Sequence, residues 1–377
     1  MKIYPVLSPS DYKKFIFLPY SIYRNDMMWV PPLRIELKSQ FDRRKNPTLY
    51  HTVYQLFLLE DSDRVIGRIA AFYDTLANNF HQEKTGLFGY YECPDDPAAS
   101  RLLLDAAAGW LRKQGMTCMR GPWSFVSQEW GLVIEGFEPP PVIMAPYNPP
   151  FYNDQMISYG LGKVKDLLCY YISGKEGYRI PERILTLTDD VTKRYGIQVR
   201  QINLKRYEEE VQAVIDISNH SLIHNWGYAP VTQAEADALA RDLKQVIRPE
   251  GVLFAEDQER RPIGFIIALP DINVVLKKLN GQLLPFGWLR LLTALPRLRS
   301  YRLFALAVTP EYIGKGIDSL LYRALYETLF SSDIWMEINY VLEDNHPMNN
   351  AIAKLNAKPL RRYRVYEKGL TDSDVTA

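Results

Sequence analysis

The stretch from Leu303 to Leu325, LFALAVTPEYIGKGIDSLLYRAL, decides how the C-terminal half is read. It opens on an apolar run, LFALAV, with the character of a strand ending at Val308. Thr309-Pro310-Glu311-Tyr312 carries turn chemistry, and from Ile317 onward apolar residues recur at helical spacing. Between them stands Ile313-Gly314-Lys315-Gly316-Ile317. The two glycines remove side chains where a backbone must approach a ligand closely. The first N–H groups of a helix have no internal acceptor, and the helix dipole adds partial positive charge to them. Strand, glycine turn and helix start, in that order, make an anion site suited to a pyrophosphate, with Lys315 adding a cation.

Outward from this segment, VRQIN, GVLFAED, RPIGFIIALPD, WMEINYVLE and RRYRVYEK read as strands. LKRYEEEVQAVIDISNHSL, TQAEADALARDLKQVI and HPMNNAIAKLN read as helices. The first half repeats the order. VYQLFLLE, RVIGRIAAFYD and GLFGYYE are strands, and DPAASRLLLDAAAGWLRKQG is a helix with an Asp start and a Gly stop. The strand MTCMRGP, the short helix FYNDQMISYG and the strand KVKDLLCYYIS close that unit. PSDYKKFIFLPYSIYRN stands in for the helices that precede the strands in the second half. The fold class expected is therefore α/β with a mixed sheet, as two tandem domains over 1–174 and 199–377 joined by a helix over 175–198.

The second half resembles the GNAT superfamily of N-acetyltransferases. That family's signature after its fourth strand is [R/Q]xxGx[G/A]. Here it reads Glu311-Tyr312-Ile313-Gly314-Lys315-Gly316, with Glu311 in place of Arg or Gln and both glycines kept. The resemblance implies an acetyl-CoA or other acyl-CoA cofactor, with Ile313, Gly314, Lys315, Gly316 and Ile317 at its diphosphate. It implies that Ala307 and Val308 offer backbone to the pantetheine arm. DNHPMNNAIAKLNAKPLRRYRVYEK resembles the family's closing helix and strand, so Asn345 is expected on the coenzyme A arm. The family's helix tyrosine falls at Ile352, so Tyr340, Tyr363 or a water would have to stand in as acid to the thiolate, and the sequence does not choose among them. Transfer to an amine also needs a base. Glu337, on the same strand face as Asn339, is the first candidate, followed by Glu343 and Asp344, and each could equally be a paired or solvated carboxylate.

The first half resembles the same fold without its phosphate cradle. Asp95, Asp96 and Pro97 suit a helix start, but two acids repel a diphosphate, so this domain is expected to be degenerate. Nearly the whole chain resembles bacterial tandem GNAT-like proteins. Trp123, Phe125, Trp130, Tyr147, Phe151 and Tyr152 could line one wall of an acceptor cleft or simply pack in core and loops.

Between RPIGFIIALPD and RLFALAV lies an insertion of about thirty residues, 274–302, rich in Leu and in Lys and Arg. FGWLRLLTALPRLRS has helical apolar spacing with a basic remainder. The leading expectation is that it covers the acceptor side or docks on the first half, and vesicles are not expected to retain the chain. The other readings are peripheral contact with an anionic membrane through 286–302, and an acidic or acyl-chain substrate.

Composition narrows the rest. The chain has 377 residues, 47% apolar and 24% charged, with a net charge of +1, which excludes wholesale disorder and supplies no case for nucleic acid. Its three widely spaced cysteines suit reduced thiols and a cytoplasmic location. No metal site is expected; His220 and His224 share helical spacing but lack further ligands. No signal peptide or spanning segment is expected, and the polar tail GLTDSDVTA is expected to fray. The function expected is direct acyl transfer, with acetyl-CoA as leading donor, to a small-molecule or peptide amine. The alternatives are aminoacyl or long-chain acyl transfer and a non-catalytic coenzyme A-binding scaffold.

Overall fold

The computed structural model describes residues 1–125, 129–331 and 333–370. The polar tail from Thr371 lies outside them. In chain order the first elements are β1 Lys2–Pro5, α1 Pro9–Ile22, α2 Arg34–Gln40, β2 Thr52–Asp61, β3 Arg64–Asp74, α3 Thr75–His81, β4 Thr85–Glu92, α4 Pro97–Lys113, β5 Cys118–Gly121, β6 Leu132–Glu135, α5 Tyr152–Ser158 and β7 Gly162–Ser173. The remaining elements are α6 Glu182–Tyr195, β8 Gln198–Gln201, α7 Tyr207–Ser221, α8 Gln233–Leu243, β9 Val252–Glu256, β10 Pro262–Pro270, α9 Asn273–Leu279, α10 Gly287–Ala294, β11 Ser300–Val308, α11 Ile317–Leu329, β12 Trp335–Leu342, α12 His346–Lys354 and β13 Lys358–Gly369. Helix ends obey local chemistry. Ser8 with Asp11 and Thr232 with Glu235 form capping boxes at α1 and α8, and α6 stops at Gly196 in the left-handed region.

The chain forms two compact units. The first holds Met1–Asp166, Leu276–Leu283 and the stretch from Arg361; the second holds Leu167–Val275 and Leu284–Leu360. The first unit has the strand order β1-β2-β3-β4-β5-β13, and the second β8-β9-β10-β11-β12-β7. Their strand senses match. Pairing is antiparallel up to β4 and up to β11, parallel from β4 to β5 and from β11 to β12, then antiparallel to the last strand.

KVKDLLCYYIS differs from its sequence reading. From Leu167 on, β7 pairs with β12, with Leu167 opposite Leu342 and Ser173 opposite Trp335, so it closes the second unit. The first unit is closed instead by β13, with Tyr366 opposite Gly121. Alternating apolar residues identify a strand but do not say which sheet edge it fills. The exchange is well packed: Tyr363, Val365 and Tyr366 are fully buried, and Arg364 grips the buried Asp166 carboxylate at 2.7 and 2.9 Å.

In the first unit α4 lays Leu103, Leu104, Ala107 and Leu111 on Leu59, Ile69 and Phe88. In the second, α11 lays Ile317, Leu321 and Leu325 on Ile266, Leu303, Met336 and Ile338, with Val191 of α6 joining the same cluster. Helix α7 also packs on β10 and β11 but contributes no residue to that core, so it covers the opposite face of the sheet.

Candidate coenzyme A site

Strands β11 and β12 are paired only over part of their length. The register runs from Ser300 opposite Trp335 to Leu303 opposite Ile338 and then stops, while β11 continues to Val308 and β12 to Leu342. From Ala305 to Val308, β11 keeps β10 on one side, with Ala307 opposite Phe265 and Val308 opposite Gly264. Backbone groups on its other side therefore face a gap between parting strands. Such an edge can pair with an extended ligand arm as with another strand. Ala307 is buried and Val308 half-buried, so the edge they offer is backbone.

The gap leads to the start of α11. Gly314 and Gly316 have φ of 77° and 81°, the left-handed region that favours glycine. Gly316 is the N-cap of α11, and no side chain caps it. A Cβ on Gly316 would stand 3.0 Å from Val191 Cγ2, whereas one on Gly314 would meet nothing within 4 Å. Gly316 is thus required by close packing on α6 as well as by its backbone, and Gly314 by its backbone alone. The first-turn amides of α11 have no intrahelical acceptor, which suits a diphosphate. Lys315 is not aimed outward: its ammonium lies over the rings of Tyr312 and Tyr195, at 4.6 and 5.6 Å from the centroids. Ile313 is exposed and Ile317 buried in the core beneath the helix. Glu311, at the signature's first position, is exposed and lies 3.5 Å from His220 Nε2. Asn345 is the N-cap of α12, and its Oδ1 accepts from the Met348 N–H at 3.1 Å.

Glu337 and Tyr340 sit on β12. Leu303, Met336 and Ile338 point into the α11 core, so the register partners Arg302 and Glu337, with Asn339, point to the α7 face. Arg302 and Glu337 are fully buried just before the strands part. Asn339 Nδ2 donates to Glu337 Oε1 at 3.0 Å. The Arg302 guanidinium lies over the rings of Phe304 and Tyr340, 5.6 and 5.1 Å from their centroids. Strand alternation in the sequence sets Glu337 and Asn339 on one face, as their hydrogen bond shows, but it does not single out Arg302, whose signal is a lone cation inside an apolar strand run. A small apolar cavity of about 40 Å³ lies on the other face of the vertex, lined by Leu303, Ile338, Tyr322 and Leu325. Ile352 is fully buried in the same core.

The matching place in the first unit is filled by its own chain. β4 and β5 pair from Thr85 opposite Cys118 to Leu87 opposite Arg120 and then part. Into that gap runs the segment after β5: the Trp123 N–H donates to Phe88 O at 2.8 Å. It passes so close that a Cβ on Gly89 would lie 1.6 Å from Trp123 O. Helix α4, next in the chain after β4, is capped from within, Asp96 Oδ1 accepting from the Ala98 and Ala99 amides at 2.8 and 3.4 Å. At the end of β4, Glu92 is buried among Tyr23, Tyr152 and Arg68. Burial pushes its carboxyl above the usual range, although Arg68 pulls the other way. Of the aromatics weighed as an acceptor wall, Phe125 and Tyr152 are buried and Phe151 packs on the α4 core. Trp123 and Trp130 pack on each other with centroids 4.5 Å apart, and Tyr147 packs on Tyr23.

Among the described residues no group of acidic, His or Cys side chains could hold a metal ion, and no helix is long and apolar enough to cross a membrane. No family model matches the chain. It is 36% identical over 370 residues to protein YghO of Escherichia coli, spanning 96% of this chain and 94% of that one. It is 33% identical over 382 residues to the bacterial ceramide synthase of Caulobacter vibrioides, spanning 98% of each. A tandem GNAT protein from the clavulanic acid biosynthesis pathway has a similar structure, with a TM-score of 0.58 over 99% of both chains at 14% identity. The parted parallel strands and the glycine-capped helix, together with these likenesses, establish that the chain has the tandem GNAT fold and belongs to the family of protein YghO and the Caulobacter bacterial ceramide synthase.

Proposed function

We propose that the protein is an acyl-CoA-dependent N-acyltransferase whose acceptor is a long-chain amine of the sphingoid-base class. The observation that carries the transferase reading is the uncapped start of α11 at Gly316, beside parallel strands that part after Leu303 and Ile338. The acceptor class comes from a relative: ceramide is the amide of a sphingoid base, and the Caulobacter protein is named for making it. The same kinship favours a long-chain donor over the acetyl group expected from the sequence.

Acyl-CoA supplies an acyl carbon activated as a thioester. The first-turn amides of α11 would hold its diphosphate, and the free edge of β11 up to Val308 would align its arm. A protonated amine must give up its proton before its lone pair can form the new C–N bond as the C–S bond breaks. Glu337 would accept that proton on the α7 face of the sheet, the Tyr340 hydroxyl would give one to the departing thiolate, and the second proton shed by the nitrogen as the amide forms would restore the Tyr340 hydroxyl.

The test is thiol release by the purified chain. Acetyl-, octanoyl- and palmitoyl-CoA are offered with sphinganine, and with spermidine and glucosamine as unrelated amines. Amide product is identified by mass spectrometry. The expected outcome is N-acyl sphinganine, with the preferred chain length favoured by about tenfold or more. Tight CoA binding without turnover over this panel would support a non-catalytic CoA-binding protein, the reading that buried Ile352 at the family's tyrosine position favours. Failure to bind CoA at all removes both readings.

A further inference from the structure

The insertion between β10 and β11 divides into a docked part and a free part. Its ends are tied together, the Asp271 N–H donating to Ser300 O at 2.8 Å. Residues Leu276–Leu283 belong to the first unit. There the Arg34 N–H donates to Gly281 O at 3.1 Å, and Lys277 Nζ donates to Met27 O. Docking, the leading expectation from the sequence, therefore accounts for this part. It leaves the stretch from Leu284 onward without an explanation. Leu284 is 78% exposed, Phe286 71% and Leu292 55%, and Trp288 and Leu289 are also exposed. Trp288, Leu289 and Leu292 share one face of α10, while Gly287 and Leu291 turn inward. Exposed apolar patches of this kind mark interaction surfaces.

Charge says what kind of surface meets it. From Ile272 to Arg302 the chain has no Asp or Glu, but it has Lys277, Lys278, Arg290, Arg297, Arg299 and Arg302, in a protein whose net charge is +1. Arg302 is buried, and Arg299 lies 3.9 Å from Asp333. Arg290 and Arg297 meet no carboxylate among the described residues. A two-fold contact through this patch would bring both sets of arginines into one interface with no acidic residue of the insertion to meet them. An anionic bilayer instead matches both features, taking the apolar side chains among its acyl chains and the arginines among its headgroups. At about 12 Å, α10 is too short to span a bilayer and suits lying in its surface.

We propose that residues 284–299 form a membrane-surface anchor that seats the protein on an anionic lipid bilayer. The anchor stands without the acyltransferase reading. If that reading holds as well, a lipid amine is met where it resides.

The test is flotation of the full chain with vesicles, without CoA or amine. Vesicles of phosphatidylglycerol and phosphatidylethanolamine should carry the protein up, and pure phosphatidylcholine should carry much less. F286S/L292S should stay at the bottom, and R290Q/R297Q, which removes two charges, should lower partitioning by about thirtyfold. All of these side chains are exposed, so both variants should melt with the parent; if F286S/L292S does not, W288S/L289S replaces it. The anchor is overturned if the parent chain stays down with phosphatidylglycerol present, or if the apolar variants float as the parent does. It is also overturned if light scattering finds a dimer that F286S/L292S dissolves, since the patch then belongs to a second copy.

Discussion

Gly316 holds a left-handed backbone with Val191 3.0 Å from where a Cβ would stand. Gly316→Val should cost about 1–2 kcal/mol in stability through the left-handed strain alone and weaken CoA about tenfold or more by disturbing the first-turn amides. Gly314→Ala meets no neighbour and should weaken CoA much less. Calorimetric titration of CoA into folded variants decides it; equal affinity for Gly316→Val and the parent removes the cradle assignment. Glu337 is a different case, being buried with Asn339 at 3.0 Å. If it is the base, Glu337→Gln should lower kcat by about 10²–10⁴ with little change in KM, and the acid limb of the pH–rate profile should vanish. A residue that only packs would leave that limb in place. The glycine turn before α11 was legible because its spacing is local, and the shared face of Glu337 and Asn339 because strands alternate. The use of Asn345 as a helix cap was not, since an Asn before a helix suits a cap and a ligand contact alike.

Helices α4 and α11 occupy the same place in their units and begin in opposite ways. Asp96 fills the start of α4 with its own carboxylate, whereas Gly316 leaves the start of α11 bare. Asp96→Ala should therefore cost about 1 kcal/mol in stability, read as a lower melting temperature. It should not create a second ligand site, because the Trp123 backbone still occupies the gap beside β4. Titration should give one CoA per chain for the parent and for Asp96→Ala; two would mean that the segment after β5 can be displaced. The acidic start of α4 was readable from DPAAS. The plug was not, because a backbone hydrogen bond between Trp123 and Phe88 leaves no mark on residue identity.

For the whole molecule, the sequence carried the order of elements and their repetition but not the exchange of last strands, because pairing partners far apart in the chain are chosen by which sheet edge stands open. The exchange has a titratable lock. Burial pushes the Asp166 carboxyl up, but hydrogen bonds from Arg364 and Lys163 outweigh it and hold it below the usual carboxylate range. A carboxylate lowered on folding stabilises the fold above its unfolded value, and that contribution disappears as pH falls through the folded one. Asp166→Asn should cost about 3 kcal/mol near neutrality. The gap in urea midpoint between parent and variant should narrow as pH drops below about 4; a constant gap would mean that the pair contributes packing rather than charge. The exchange also bears on synthesis. On a translating ribosome the first unit must wait, with the edge of β5 bare and its buried places for Tyr363, Val365 and Tyr366 unfilled, until nearly two hundred further residues have been made. The second unit has no such delay, since its strands from β7 to β12 lie in one run of chain, so it is the first unit that depends on whatever guards an open strand edge during that interval.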